Sequence, residues 1–328
     1  MFGRVLTLAS ALVLTACTAA NTQTNAAPVS PETSSLSKWN PYPVASKDAE
    51  FLKNTPDDFH PFVAACDPWD DWDKPAPPFK VYGNTYYVGT CGISALLLVG
   101  NDEHVLIDSG TEAGAEIVLR NIKTLGFDPK DITYLLYSHE HFDHVGGHAV
   151  VQKATGATVL GNRVSGPVFK TGLSPSNDPQ HGMHDAMAPV DNVRVLEQLG
   201  TVIAGGLSVT AIETPGHSPG ALSWHWQSCE GENCLTLAYA DSLSPISREG
   251  FRFTDDPLLL ARHEKGLEEL AKIDCQILLT PHPSSSRMLK RMRTGKVIES
   301  AACAYYAMDR WRAMEKRLLD ETTETASD

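Results

Sequence analysis

The stretch ITYLLYSHEHFDHVGG, residues 132–147, decides the reading of this chain. Its first half is apolar, with Ile132, Leu135 and Leu136 suited to a buried strand, and the run stops directly at Ser138 and His139. Three histidines and an aspartate, His139, His141, Asp143 and His144, then crowd into the span 139–144. Packing does not explain them. Buried imidazoles and a carboxylate without partners cost on the order of several kcal/mol, whereas a cation satisfies their lone pairs at once. Neutral imidazole with carboxylate and no thiolate suits Zn²⁺, and Fe or Mn fit the same ligand chemistry. Four donors this close in sequence surround one tetrahedral ion poorly. The spacing therefore points to two ions, each completed from elsewhere in the chain.

Two further histidines have a suitable setting. His217 lies in TPGHSPG, residues 214–220, and His282 in LLTPHP, residues 278–283. Each follows an apolar run and is held in a turn stiffened by proline or glycine, where an α/β architecture puts its active-site loops. Outward from this centre, short apolar runs bounded by Gly and Asn predict strands over 80–82, 85–88, 94–99 and 104–108. Ala115, Val118, Leu119 and Ile122 share one face of a helix predicted over 112–125. A second series of strands follows at 158–160, 193–196, 207–213, 221–226, 235–240 and 277–280, with helices near 256–271 and 297–319. Strands lead and helices follow in each half. That order predicts an α/β fold of two β-sheets packed face to face with helices outside, an αβ/βα sandwich, formed by a single domain over 38–320 and followed by a polar tail at 321–328. The stretch 171–190 has little periodicity, and a loop that long inside a compact domain is commonly functional.

With 328 residues the chain can bury a sufficient core without metal. A net charge of -13 argues against a nucleic-acid partner, whose affinity would come from Lys and Arg neutralising phosphates. At the start, Arg4, an apolar run over 5–14 and the sequence Leu14, Thr15, Ala16, Cys17 read as a signal peptide of residues 1–16, too short to span a membrane. Leu-Thr-Ala-Cys also resembles the bacterial lipobox, which would make Cys17 a lipidated membrane tether; simple cleavage after Ala20 or Ala27 is the alternative. Residues 17–37 read as a flexible tether, and the predicted location is the bacterial periplasm. Export leaves six cysteines in an oxidising compartment: Cys66, Cys91, Cys229, Cys234, Cys275 and Cys303. Fifteen pairings are formally open. Cys66 with Cys91, Cys229 with Cys234 and Cys275 with Cys303 is the favoured set: the middle pair would close a tight turn and the last would tie a strand to the C-terminal helix. Six buried free thiols are the alternative.

Together, His-x-His-x-Asp-His, the Pro-Gly-His turn and the late Thr-Pro-His-Pro resemble the metallo-β-lactamase superfamily over nearly the whole mature chain. The segment 239–244 and the stretch from Cys275 to His282 are similar to subclass B3, with Ser242 where other subclasses carry a Cys ligand. The resemblance implies that His139, His141 and His217 hold one zinc ion, and Asp143, His144 and His282 a second. It also implies that Ser242 and Ser244 grip a substrate carboxylate, and that Asp143 orients the nucleophile. Asp108 matches a position that supports a ligand region, although an acid there could equally cap the helix that follows. Asp241 bridges the metals in several hydrolases of the superfamily, whereas the B3 likeness implies that it does not. The implied reaction is hydrolysis of small-molecule β-lactams by a monomer, without a covalent intermediate. A hydrolase of the same fold acting on a lactone, thioester or phosphodiester is the near alternative, and a zinc-binding lipoprotein without catalysis the distant one. Of the remaining histidines, His148 completes no site, His181 and His184 read as structural or solvent-facing with a substrate contact as the alternative, and His60, His104, His225 and His263 belong to no motif.

Overall fold

A computed structural model of the chain describes residues 59–197 and 200–325. The signal segment, Cys17 and the tether lie outside the described residues. The predicted sandwich is what forms. One sheet has seven strands in sequential order: β1 (Phe79–Tyr82), β2 (Thr85–Tyr87), β3 (Leu96–Val99), β4 (His104–Ile107), β5 (Ile132–Leu136), β6 (Thr158–Gly161) and β7 (Val193–Val195). The other has five, in the order β12 (Ile277–Leu279), β11 (Asn233–Tyr239), β10 (Leu222–Glu230), β9 (Leu207–Glu213) and β8 (Thr201–Ala204).

The two halves are not divided where the order of elements suggested. Strands β6 and β7 open the second series in sequence, yet β6 pairs in parallel with β5 and β7 with β6, which completes the first sheet. The connections explain this. Parallel neighbours need a long crossover, and α4 (His148–Thr155) and α5 (Ser165–Thr171) supply helical ones. The hairpin β10–β11 is antiparallel, and Cys229 lies opposite Cys234 at its end. The structure joins Cys66 to Cys91, Cys229 to Cys234 and Cys275 to Cys303.

The sheets meet over a core that includes Leu96, Leu98, Val105, Ile107, Val209, Trp224 and Leu237. Tryptophan donors fix their relative position, because a buried indole N–H must find an acceptor. Trp224 Nε1 donates to Tyr137 O at 2.7 Å and Trp226 Nε1 to Thr85 Oγ1 at 2.9 Å, each from the second sheet to the first. Helix α2 (Glu112–Thr124), N-capped by the Thr111 hydroxyl, buries Ala115, Val118 and Ile122. Outside the second sheet, α6 (Pro257–Ala271) packs against α8 (Ala302–Thr325), while α1 (His60–Ala65) meets α7 (Met288–Arg293). Helix α8 starts later and ends later than the predicted 297–319. Ile298 first makes a bridge to Ile277, and positions 321–325, read as the start of a polar tail, continue the helix with Glu321 buried.

Candidate metal centre

The loops that leave β4, β5, β9, β11 and β12 converge on one place and bring together Asp108, the cluster 139–144, His217, Asp241 and His282. After β5 the chain passes His139 and His141 and enters the short helix α3 (Phe142–Val145), which carries Asp143 and His144. The glycines behind it allow a close approach. A Cβ on Gly147 would lie 2.7 Å from Ser109 O, and Gly147 N donates to Gly110 O at 3.0 Å. Ser109 N also donates to His144 O at 2.9 Å, so the β4 and β5 loops are bound to each other.

Donor atoms from His139, His141 and His217 lie within 4.8 Å of one another, as do those from His139, Asp143 and His144. His282 Nε2 is 3.2 Å from His144 Nε2 and 3.2 Å from Asp143 Oδ2, which is itself 3.0 Å from His144 Nε2. The six side chains thus form two adjoining groups of three.

Four of these imidazoles have one nitrogen turned toward a protein acceptor. His139 Nδ1 meets Asp241 Oδ1 at 2.7 Å, His141 Nε2 meets the Asp178 carboxylate at 3.0 and 3.2 Å, and His217 Nδ1 meets Ser244 O at 2.9 Å. His144 Nδ1 faces Asp108 Oδ2 at 3.6 Å. Fixing one nitrogen as the donor, as on His139, His141 and His217, leaves the other as a lone pair. His139 Nε2 is buried with no partner among the described residues. Burial, followed by the neighbouring imidazoles, holds His139 and His217 well below the ordinary histidine range, so both are neutral. Burial opposes ionisation of Asp143, but His144 and His282 outweigh it and hold the carboxyl well below its usual value. Although burial works against it, Asp178 lifts His141 and Asp143 lifts His144, the latter to about 10, so these two imidazoles answer the acids with protons that a cation would replace. Lone pairs on His139 and His217 together with this acid-rich half fit divalent metal ions.

Asp108 supports this centre and does not cap the helix, a role that falls to Thr111. Its carboxylate accepts from Ser138 N, Ser138 Oγ and Tyr239 Oη at 2.7, 2.7 and 2.8 Å, from a left-handed backbone at φ 62°. Asp241 is fully buried and spends Oδ1 on His139 and Oδ2 on Leu243 N, which places it behind His139. Burial pushes both partners of that contact toward their neutral forms, His139 down and Asp241 up.

The two serines separate. Ser244 lines the cleft above the site, and its hydroxyl lies 3.0 Å from His217 Nδ1. Ser242 is 2% exposed, its hydroxyl has no partner among the described residues, and it is absent from the cleft wall. His148 is packed in the fold, with Nδ1 2.7 Å from Ser109 Oγ and its ring stacked on Phe169. His181 is exposed and bonds Ser174, whereas His184 packs on Phe142.

Three important residues escaped the sequence reading. Asp178 and Gln180 come from the long loop, and Gln180 Nε2 lies 3.3 Å from His217 Nε2. Nothing in the loop's composition singles them out, although its length marked the segment. Glu140, inside the cluster, accepts from Ser218 Oγ at 2.7 Å and Gly220 N at 2.8 Å and so clamps the turn that carries His217. Burial, with Asp178 adding to it, lifts its carboxyl to about 7.

Two β-sheets in a helix-flanked sandwich, with a histidine and aspartate centre at the ends of the strands, define a class of metal-dependent hydrolases. The chain belongs to the metallo-β-lactamase superfamily, which it matches over residues 88–230. It is 48% identical to the solved MIM-2 metallo-β-lactamase, with a TM-score of 0.75, covering 79% of this chain and 97% of that one. MEM-A1, a subclass B3 metallo-β-lactamase from a soil metagenome library, is 37% identical at a TM-score of 0.74, covering 77% and 100%. These neighbours mark the chain as a hydrolase of the B3 type.

Curated relatives match only in part. Ribonuclease TTHA0252 of Thermus thermophilus is 34% identical over 158 residues, which are 46% of this chain and 35% of that protein. The N-acyl homoserine lactonase of Bacillus thuringiensis is 26% identical over 166 residues, 50% of this chain and 61% of the lactonase.

Proposed function

We propose that this chain hydrolyses the ring amide of β-lactams, with one zinc ion held by His139, His141 and His217 and a second by Asp143, His144 and His282. The observation that carries the reading is the clustering of six donors into two adjoining groups of three, with a protein acceptor holding one ring nitrogen of His139, His141 and His217 from behind. Zinc bound there supplies a water acidified to a pKa of about 7 and a positive charge beside the carbonyl.

The chain's own groups do the rest. Asp143 uses Oδ2 toward His144 and His282, which leaves its other oxygen to orient the attacking water; the proton that water gives up ends on the ring nitrogen of the lactam as the C–N bond breaks. Ser244 would hydrogen-bond the carboxylate of the substrate, a role supported by its position on the cleft wall. Asp241 engages both its oxygens behind His139, which favours the lactam over hydrolases in which this acid bridges the metals. Names of the solved neighbours support the same choice. The three cysteine pairs suit an exported enzyme.

Turnover of a penicillin, a cephalosporin and a carbapenem, measured with and without a chelator, tests the reading. Hydrolysis that stops in chelator and returns with zinc supports it. Zinc-loaded protein inert to all three, yet active on a lactone, overturns it.

A further inference from the structure

A cavity of about 820 Å³ is lined by His217, His282 and Ser244 and also by Arg287, Lys290 and Arg310. A second cavity of about 340 Å³ adjoins it, with Arg287 and Lys290 on the wall of both, and adds Arg291, Lys296 and Arg312. This collection of cations stands out in a chain of net charge -13. Acids on the same walls are fewer, Asp70, Glu299 and Asp309, and two are engaged: Asp70 pairs with Lys74 at 2.7 Å, and Asp309 pairs with Arg310. Arg287 and Lys290 are exposed and make no ion pair among the described residues.

The turn that seats His282 also aims Arg287. Ser285 N donates to His282 O at 3.0 Å, Arg287 N to Ser284 O at 3.0 Å and Met288 N to Pro283 O at 2.9 Å, while Thr280 Oγ1 holds His282 O at 2.7 Å. Arg287 takes a left-handed backbone, φ 53° and ψ 38°, which a side chain other than glycine adopts at a cost. The same wall carries Trp72, Ile246 and Leu289. The wall therefore matches a molecule that combines a reactive group, an apolar body and a negative charge.

We infer that Arg287 and Lys290 form an anion subsite, which takes a carboxylate or sulfonate carried by the substrate away from the bond that is hydrolysed. The inference rests on the hydrolase reading above, but its test does not need β-lactam turnover. The probes are ω-mercaptocarboxylates of increasing chain length, each compared with the mercaptoalcohol of the same length, binding to zinc-loaded protein by calorimetry. A thiol is a soft ligand that anchors on zinc, and the chain carries the anion outward by a known length.

At the lengths that reach the subsite, the acid is expected to bind about three- to tenfold tighter than its alcohol, the combined size of two solvent-exposed charge pairs. That ratio falls toward one in R287G/K290Q and with added salt. Arg287→Gly suits the left-handed backbone, so it removes the charge without straining the turn. An acid-to-alcohol ratio of one at every length in the wild type, or a ratio unchanged in the double variant, overturns the subsite. A subsite that passes this test in a protein inert to β-lactams would sink only the substrate assignment. With an active enzyme, KM for a β-lactam bearing an acidic side chain should rise against that for its neutral counterpart in R287G/K290Q.

Discussion

Replacing Asp178 with Ala removes the group that fixes His141 from behind and leaves the other candidate ligands in place. The carboxylate is buried, meets His141 Nε2 at 3.0 and 3.2 Å, and accepts from Gln180 N at 2.7 Å. A hydrogen bond to a charged group contributes about 1.5–3 kcal/mol, and about 1.4 kcal/mol is a tenfold change in an equilibrium constant. Zinc affinity should therefore fall by roughly 10- to 100-fold, the range seen when the group behind a ligating histidine is lost. The fall should be confined to one ion. His141 groups with His139 and His217, whereas Asp143, His144 and His282 make no contact with Asp178. Asp178→Asn keeps an acceptor for the ring, and its loss should be the smaller of the two. Competition against a chromophoric chelator resolves the two affinities. Equal weakening of both ions, or unchanged affinity in Asp178→Ala with native circular dichroism, refutes the idea that this carboxylate positions one ligand of one centre.

Gly216→Ala should cost at least about tenfold in turnover, because small misplacements of a ligating group are costly. Its Cβ would lie 2.1 Å from His263 Nδ1, so the turn carrying His217 must shift, and a second change, His263→Ala, should recover part of the loss by making room. Replacing Cys275 and Cys303 by Ala should lower stability more than replacing Cys229 and Cys234, by about 1.5 kcal/mol in chemical denaturation, because the chain-entropy cost grows with a loop of 28 residues against one of 5. Glu321 accepts from Phe253 N, Thr254 N and Arg317, and although burial works against it, the Thr254 and Phe253 amides hold its carboxyl below the usual 4.5. Its contribution is present above pH 4.5 and lost as pH falls through the lower folded value, so the Tm gap between wild type and Glu321→Gln should narrow below pH 4.5.

The sandwich was legible because its strands are short apolar runs separated by turn residues, and alternation and turn chemistry are local properties. The clustered ligands were legible for a related reason: four donors in the span 139–144 need no folding to be seen together. His217 and His282 could be proposed from their turns. The allocation of β6 and β7 to the first sheet was not legible, since which sheet a strand joins depends on how α4 and α5 pack, and nothing in the strand itself records it. Ser242 and Ser244 look equivalent in sequence, two residues apart, yet one hydroxyl is enclosed and the other faces the cleft.

The sequence by itself determined the donor types and the ends of strands on which they sit, and hence where a metal centre is to be sought. Only the tertiary structure decided what stands behind each imidazole: Asp241 from 102 residues away behind His139, Asp178 from 37 residues away behind His141, and Ser244 from 27 residues away behind His217. A donor's identity is a local fact, but the direction of its lone pair is set by a hydrogen bond to a distant segment, and that bond exists only once the sheets have packed.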